Sequence, residues 1–167
     1  RMSGARLGLV GMGDMAQAIA KRALAFDMQV SYTAQQEVAS SGFKFVSSVK
    51  ALAAEVDFLV LPESGPDVPA KLITGDVLQA LALKGYLINM ASAAAIDTPA
   101  LVEALQKKVI AGAALDVFPE EPRVPAELRN APNVVLTPHI SSATHEARKA
   151  MGEMALRHLA AHFPPEE

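Results

Sequence analysis

Apolar runs alternate with segments of helical periodicity along most of this chain. The apolar runs predict six strands, over residues 6–10, 28–32, 57–61, 86–89, 110–118 and 134–136. The helical patterns lie between them, over residues 15–26, 48–55, 76–83, 98–107 and 142–162. Because connections between parallel strands are right-handed crossovers, this alternation predicts a doubly wound α/β fold with helices on both faces of a parallel sheet.

Two polar residues mark predicted helix starts. Ser48 precedes the second helix, and Asp97 precedes a Thr-Pro pair, so each side chain is placed to cap free backbone N–H groups. The predicted domain extends over residues 1–163, with residues 164–167 as a frayed terminus. A single domain is therefore expected.

Composition narrows the function classes. The chain has 167 residues, of which 51% are hydrophobic, which suffices for one well-packed domain. A net charge of -3 with scattered basic residues disfavours binding to nucleic acid. Apolar runs fall short of the ~20 residues that span a bilayer, so we expect a cytoplasmic protein without a membrane partner. The absence of cysteine excludes disulfides and thiolate metal ligands, and we expect no metal site.

A glycine motif lies between the first predicted strand and the first predicted helix, in residues 11–16. Gly11 permits a tight turn, Gly13 lets a pyrophosphate approach the backbone, and Met15 begins the helix whose free N–H groups attract anions. Asp14 allows two interpretations. Its carboxylate repels a bound pyrophosphate, or it caps the helix by itself and the motif is only a structural turn.

The predicted end of the second strand should select between NAD and NADP. Residues 31–36, with Thr33 among them, offer neither the acid that binds a ribose 2'-hydroxyl nor the arginine that binds a 2'-phosphate. Glu37 lies one or two residues too far along the chain to replace the acid that binds the ribose. Proline-rich loops begin at Pro62 and Pro119 after predicted strands, where loops of an α/β sheet border the ligand crevice.

Two further segments carry the strongest signal: residues 115–122, which include Asp116 and Glu121, and residues 133–144, which include His139. Together with the glycine motif they resemble the nucleotide-binding domain of the D-isomer-specific 2-hydroxyacid dehydrogenases, and among these the glyoxylate/hydroxypyruvate reductases. The resemblance implies hydride transfer between NAD(P)H and a small-molecule 2-keto acid such as glyoxylate or hydroxypyruvate. It assigns His139 as the acid/base, Glu121 as the residue that orients it and raises its pKa, and Asp116 to the surroundings of the nicotinamide.

The chain departs from this family where ligands bind. Ser92 stands where the family has an arginine that anchors the substrate carboxylate, and a hydroxyl cannot supply that two-pronged donor. Only a few residues precede the first predicted strand, so we expect the family's separate substrate domain to be absent. Asp14 and the neutral end of the second strand predict that binding of NAD or NADP is weak or lost. Ser92 and the missing substrate domain predict impaired catalysis.

Two origins fit these departures, a degenerate homologue or a domain engineered as a scaffold, and we favour engineering because the core pattern is intact. The alternative function is that of a non-catalytic scaffold or homo-oligomerisation module that no longer binds nucleotide. A homodimer is expected in either case. We expect its contacts to come from the helices of this domain and the loop after Phe118. The alanine-rich helices, with Ala16, Ala20 and Ala23 and with Ala100 and Ala104, allow close packing, and Met151 and Met154 of the last helix predict core or subunit contact.

Overall fold

The computed structural model describes residues 1–62 and 68–163. Seven parallel strands form one sheet in the order β3-β2-β1-β4-β5-β6-β7. Their bounds are β1 Arg6–Val10, β2 Gln29–Thr33, β3 Lys44–Phe45, β4 Phe58–Leu61, β5 Tyr86–Asn89, β6 Gly112–Leu115 and β7 Val134–Leu136. The order reverses beside β1, as a doubly wound Rossmann-type sheet requires, so the predicted fold is confirmed.

Helices connect the strands. They are α1 Asp14–Leu24, α2 Val49–Glu55, α3 Gly75–Leu81, α4 Thr98–Gln106, α5 Ala126–Arg129 and α6 His145–His162, with single 3₁₀ turns at Ala39–Ser41 and Ala93–Ala95. Both predicted caps are present: Ser48 Oγ accepts a hydrogen bond from the N–H of Ala51 at 3.2 Å, and Asp97 Oδ1 accepts one from the N–H of Ala100 at 3.3 Å.

Two hydrophobic clusters cover opposite faces of the sheet. Leu59 belongs to the cluster beneath α2, α3 and α4, whereas the next residue, Val60, belongs to the cluster beneath α1. Successive side chains of a strand point to opposite faces, so the helices pack on both sides. Ala16, Ala20 and Ala23 are buried in the α1 cluster. The close packing that these small residues predict is therefore present within the domain, where the chain's own sheet covers them.

Some element bounds differ from the predictions. The strand β3 was not predicted, since it contains only two residues, and α5 lies inside a loop expected to be irregular. β6 ends at Leu115 rather than at residue 118, because the chain turns there and the N–H of Phe118 bonds to the Glu121 side chain. Residues 63–67 of the first proline-rich loop and the predicted frayed terminus at residues 164–167 lie outside the described residues.

The helix α6 is exposed to solvent along almost its whole length. None of its residues is buried against the described part of the chain, and Met151, Met154, Leu156 and Leu159 are each more than half exposed. The predicted core role for this helix is therefore wrong for the domain as described, whereas the predicted subunit contact stays a prediction. Within residues 1–62 and 68–163, no helix combines the length and the hydropathy needed to cross a bilayer.

Candidate functional site

The carboxyl ends of the central strands meet at one edge of the sheet and bring three candidate segments side by side. Leu115 at the end of β6 pairs with Asn89 of β5 and with Leu136 of β7. The N–H of Asp116 then donates to the carbonyl of Asn89 at 3.0 Å. The loops that carry Ser92, Asp116 and His139 therefore leave neighbouring strands at the same edge, where an open α/β sheet holds its ligands.

The side chains of His139 and Glu121 are hydrogen-bonded to each other at this edge. His139 Nδ1 lies 2.8 Å from Glu121 Oε2, and Glu121 Oε1 accepts a hydrogen bond from the N–H of Phe118 at 3.0 Å. The hydrogen bond and the negative charge of Glu121 raise the pKa of His139, and the same hydrogen bond lowers the pKa of Glu121. The imidazole remains 56% exposed, so it is accessible to a substrate.

Asp116 contacts the loop that carries His139 and is only 5% exposed. Its carboxylate accepts hydrogen bonds from the Thr137 hydroxyl at 2.5 Å, the Ile140 N–H at 3.0 Å and the Ser141 N–H at 3.0 Å. Burial by itself raises the pKa of a carboxyl, but these hydrogen bonds stabilise the charged form and lower the pKa of Asp116 to about 2. The sequence did not reveal that Asp116 contacts the loop of His139.

Asn89 and Ser92 shape the loop after β5. Asn89 is 1% exposed; its Oδ1 accepts a hydrogen bond from the Ala91 N–H at 3.0 Å, and its Nδ2 donates to the Ser92 carbonyl at 2.9 Å. Ser92 Oγ accepts a hydrogen bond from the Ala94 N–H at 3.3 Å. Ser92 thus caps a local turn. Asn89 was not predicted as a site residue from the sequence, although a polar residue at the end of an apolar strand can indicate such a loop anchor.

The glycine motif forms the predicted tight turn between β1 and α1. Gly11 has φ +104°, a conformation that L-residues with a Cβ rarely adopt, and its N–H donates to the carbonyl of Thr33 at 2.8 Å. Gly13 precedes the helix in extended conformation, and Asp14 is the first helical residue. The N-cap position belongs to Gly13, which has no side chain to cap the helix, and Asp14 follows it inside the first turn. Met15 follows and is 48% exposed.

A cleft of about 500 Å³ opens beside this turn. Its lining includes Gly11, Thr33 and Gln35 together with the apolar residues Leu61 and Leu72. This volume lies in the range of small-molecule sites. The described lining contains no lysine or arginine, and Pro62, which the sequence places at the nucleotide, is buried and does not line the described part of the cleft.

The shape of this site suits a dinucleotide, whereas its charge suits the negatively charged pyrophosphate only in part. The helix α1 offers the free N–H groups of its first turn beside a glycine turn and an apolar cleft, which are the parts that hold a pyrophosphate and an adenine. The carboxylate of Asp14 stands in the same turn and opposes an anion. Within the described residues, no three His, Cys, Asp or Glu side chains approach each other closely enough to hold a metal ion.

Comparison with known proteins identifies relatives over almost the whole chain. Residues 1–141 match the model of the family described as D-isomer specific 2-hydroxyacid dehydrogenase, NAD binding domain. A 2-ketogluconate reductase of Gluconobacter oxydans is 42% identical over 158 residues, which are 95% of this chain and 51% of the relative. The glyoxylate/hydroxypyruvate reductase A of Arabidopsis thaliana is 38% identical over 98% of this chain and 52% of its own length.

Solved structures agree with this assignment. An NADPH-dependent glyoxylate/hydroxypyruvate reductase of Sinorhizobium meliloti, solved in complex with NADP and malonate, superposes with a TM-score of 0.92 at 40% identity, covering 98% of this chain and 51% of that one. The chain spans about half the length of the curated relatives it matches. It belongs to the D-isomer-specific 2-hydroxyacid dehydrogenase family and corresponds to its NAD-binding domain.

Proposed function

We propose that this chain is the NAD(P)-binding half of a D-2-hydroxyacid dehydrogenase in which His139 exchanges a proton with the substrate oxygen. The observation that carries the proposal is the 2.8 Å pair between His139 Nδ1 and Glu121 Oε2, at the sheet edge that also holds the glycine turn. The substrate class is a small 2-keto acid, such as the glyoxylate or hydroxypyruvate named for the relatives.

The nucleotide contacts follow from the turn and the cleft. Gly11, Gly13 and the first turn of α1 would hold the pyrophosphate, and Thr33 and Gln35 lie where the ribose and adenine would fit. A bound NADH or NADPH supplies the hydride in this family's chemistry. Since the described lining offers neither an acid nor a base to the ribose, we propose that NAD and NADP are bound with little discrimination.

His139 is arranged to move one proton. Glu121 engages Nδ1, so Nε2 is the ring nitrogen left for the substrate oxygen. The raised pKa of His139 keeps a larger protonated fraction near neutral pH, so the imidazolium donates the proton during reduction of a ketone and the neutral ring accepts it in the reverse direction. Glu121 holds the ring orientation and stabilises the imidazolium.

Catalysis by the chain as it stands should be impaired. Ser92 replaces the family's arginine, and loss of a charge-assisted contact to a substrate carboxylate costs about 1.5–3 kcal/mol, or roughly 10- to 150-fold in binding. Ideal alignment of a substrate contributes about 7–11 kcal/mol to catalysis, so loss of the contact that orients the carboxylate should also slow the chemical step.

Calorimetric titration with NADH and with NADPH tests the proposal, followed by steady-state oxidation of NADPH at millimolar glyoxylate or hydroxypyruvate. We expect dissociation constants in the high micromolar range or weaker for both nucleotides, and turnover far below ~1 per second, which is the low end for ordinary enzymes. A Ser92→Arg variant should raise any residual activity, and the same variant with His139→Gln should abolish it. Turnover near ~1 per second by the unaltered chain, or tight and NAD-selective binding, would refute the proposed impairment.

A second candidate is a non-catalytic scaffold or homo-oligomerisation module, and the fully exposed helix α6 together with Asp14 favours it. In this case the departures from the family come from engineering, because they lie on the ligand side while both hydrophobic clusters remain intact. Calorimetric titration with nucleotide distinguishes the two candidate functions. A chain that self-associates but gives no calorimetric signal with either nucleotide, even after Asp14→Arg, is the module and not the impaired enzyme.

A further inference from the structure

The buried carboxylate of Asp116 bonds to the chain on both sides of His139. Its Oδ1 accepts hydrogen bonds from the Thr137 hydroxyl at 2.5 Å and from the Ile140 N–H at 3.0 Å, and its Oδ2 accepts one from the Ser141 N–H at 3.0 Å. One donor precedes His139 and two follow it. One side chain thus bonds to the loop that presents the imidazole on both sides of His139.

The backbone of His139 needs such a restraint. Its φ is +53°, in the left-handed region where a residue with a Cβ is disfavoured, and its N–H donates to the carbonyl of Thr137 at 3.0 Å in a tight local turn. An unfavourable backbone conformation persists only where the surrounding contacts hold it. The bonds to Asp116 hold the chain on both sides of His139, and two backbone bonds add to them, from the Thr137 N–H to the Leu115 carbonyl at 3.0 Å and from the Ala143 N–H to the Ile140 carbonyl at 3.0 Å.

Glu121, the partner of His139, is held by the same short segment. The N–H of Phe118, two residues after Asp116, donates to Glu121 Oε1 at 3.0 Å. The segment itself is anchored to the sheet, because the N–H of Asp116 donates to the carbonyl of Asn89 at 3.0 Å. Residues 116–118 therefore hold both members of the pair, one through a side chain and the other through the backbone.

We infer that Asp116 is a positioning residue whose carboxylate clamps residues 137–141, so that the His139 imidazole meets Glu121. The inference rests on the proposed function in one respect, the role of His139 as proton donor. The clamp itself requires neither nucleotide nor substrate, since every contact that forms it lies within the described chain.

The competing explanation is that Asp116 affects His139 only through its charge. The charged groups that act on His139 are Glu121 and Asp116, and both raise the pKa of the imidazole. A Thr137→Val variant separates the two explanations, because it removes one hydrogen bond from the clamp and keeps the Asp116 charge. Asp116→Asn removes the charge and places an amide donor against backbone N–H groups, so it should disturb the clamp more strongly.

The measurement is an NMR titration of the His139 imidazole in the chain without nucleotide, combined with amide hydrogen exchange. In Thr137→Val we expect the pKa of His139 to fall toward the ordinary histidine value. The Ile140 and Ser141 amides should exchange ~10-fold faster or more, as expected for a weakened bond to a charged acceptor. Asp97→Asn is the matched control, since it alters another carboxylate that accepts a backbone N–H and lies at the start of α4. It should leave His139 and both amides unchanged.

A double-variant cycle with Glu121→Gln completes the test. If the clamp positions the pair, Glu121→Gln lowers the pKa of His139 by less in the Thr137→Val background than in the unaltered chain, because the contact is already loosened. Equal shifts in both backgrounds, with unchanged exchange at Ile140 and Ser141 in Thr137→Val, overturn the clamp. Since no step uses nucleotide, failure of nucleotide binding bears on the proposed function alone. If Asp116→Asn fails to fold, the Thr137→Val cycle still decides the outcome.

Discussion

At the scale of single residues, we expect the negative charge in the first turn of α1 to weaken anion binding. Asp14 is exposed there, beside the glycine turn. A carboxylate at a helix amino end is favourable for the helix but opposes a ligand phosphate at the same place, by about 0.3–1 kcal/mol for an exposed charge. Asp14→Asn should therefore tighten NADH and NADPH binding ~2- to 5-fold. Asp14→Arg should tighten it further and lose that gain at high salt, as screening weakens exposed charges.

Isothermal calorimetry at two ionic strengths checks this prediction. Asp27→Asn is the control, since Asp27 is an exposed carboxylate near the other end of the same helix and should leave nucleotide affinity unchanged. Binding that is equally weak in all three variants would show that the charge of Asp14 is not the limiting feature.

The buried carboxyl of Asp116 links stability to pH. Its pKa is lowered from 3.8 to about 2 in the folded chain, so the folded state favours the charged form. This contribution is fully present above pH ~4 and is lost as the pH falls through about 2, because protonation then removes the charged acceptor of three hydrogen bonds. Asp116→Asn should therefore flatten the pH dependence of the free energy of unfolding between pH 4 and 2. Urea unfolding at several pH values measures this pH dependence. If the variant shows the same dependence as the unaltered chain, Asp116 is not the group responsible.

At the scale of elements, helix α4 depends on its cap. Asp97 Oδ1 accepts the Ala100 N–H, while Lys71 approaches the same carboxylate at 3.5 Å with a largely exposed side chain. An exposed ion pair contributes little, whereas loss of an N-cap costs about 1 kcal/mol. We expect Asp97→Ala to lower the free energy of unfolding, measured by urea denaturation, by ~1 kcal/mol. Asp97→Asn should keep most of the stability of the unaltered chain, because asparagine is an equally good cap. Equal losses in the two variants would assign the stabilisation to the ion pair instead.

At the scale of the whole molecule, exposed apolar surface favours self-association. Leu156 is 67% exposed and Leu159 is 55% exposed on α6, and Val135 on the edge strand β7 is 63% exposed. Burying apolar surface contributes ~25 cal/mol per Å² before the cost of association, and one self-complementary patch suffices for a twofold dimer. We expect a dimer at tens of micromolar by light scattering, with His139 left facing the open crevice.

Charged substitutions locate the contact. Leu156→Glu with Leu159→Glu should give a monomer, whereas Leu83→Glu should not, although Leu83 is 63% exposed, because it lies after α3 and outside α6. A monomer for the unaltered chain at that concentration would exclude the homodimer. Dissociation by Leu83→Glu alone would place the contact on a different face.

The sequence by itself determined the features that depend on local pattern. Periodicity and strand alternation predicted six of the seven strands, because a buried parallel strand must be continuously apolar. The caps at Ser48 and Asp97 and the turn at Gly11 were predictable because each depends on one residue's own conformational preference or hydrogen bonding to adjacent backbone. His139 and Glu121 were identified through the motifs that contain them.

Only the tertiary structure decided what depends on residues distant along the chain. Asp116 bonds to Ile140 and Ser141, which follow it by 24 and 25 residues, and no local pattern reveals such a contact. The two-residue strand β3 exists because β2 offers it an edge, since its own sequence is too short to indicate a strand. The exposure of α6 likewise follows from packing, because an apolar pattern shows that a helix can bury a face, whereas only the surrounding chain determines whether anything covers it.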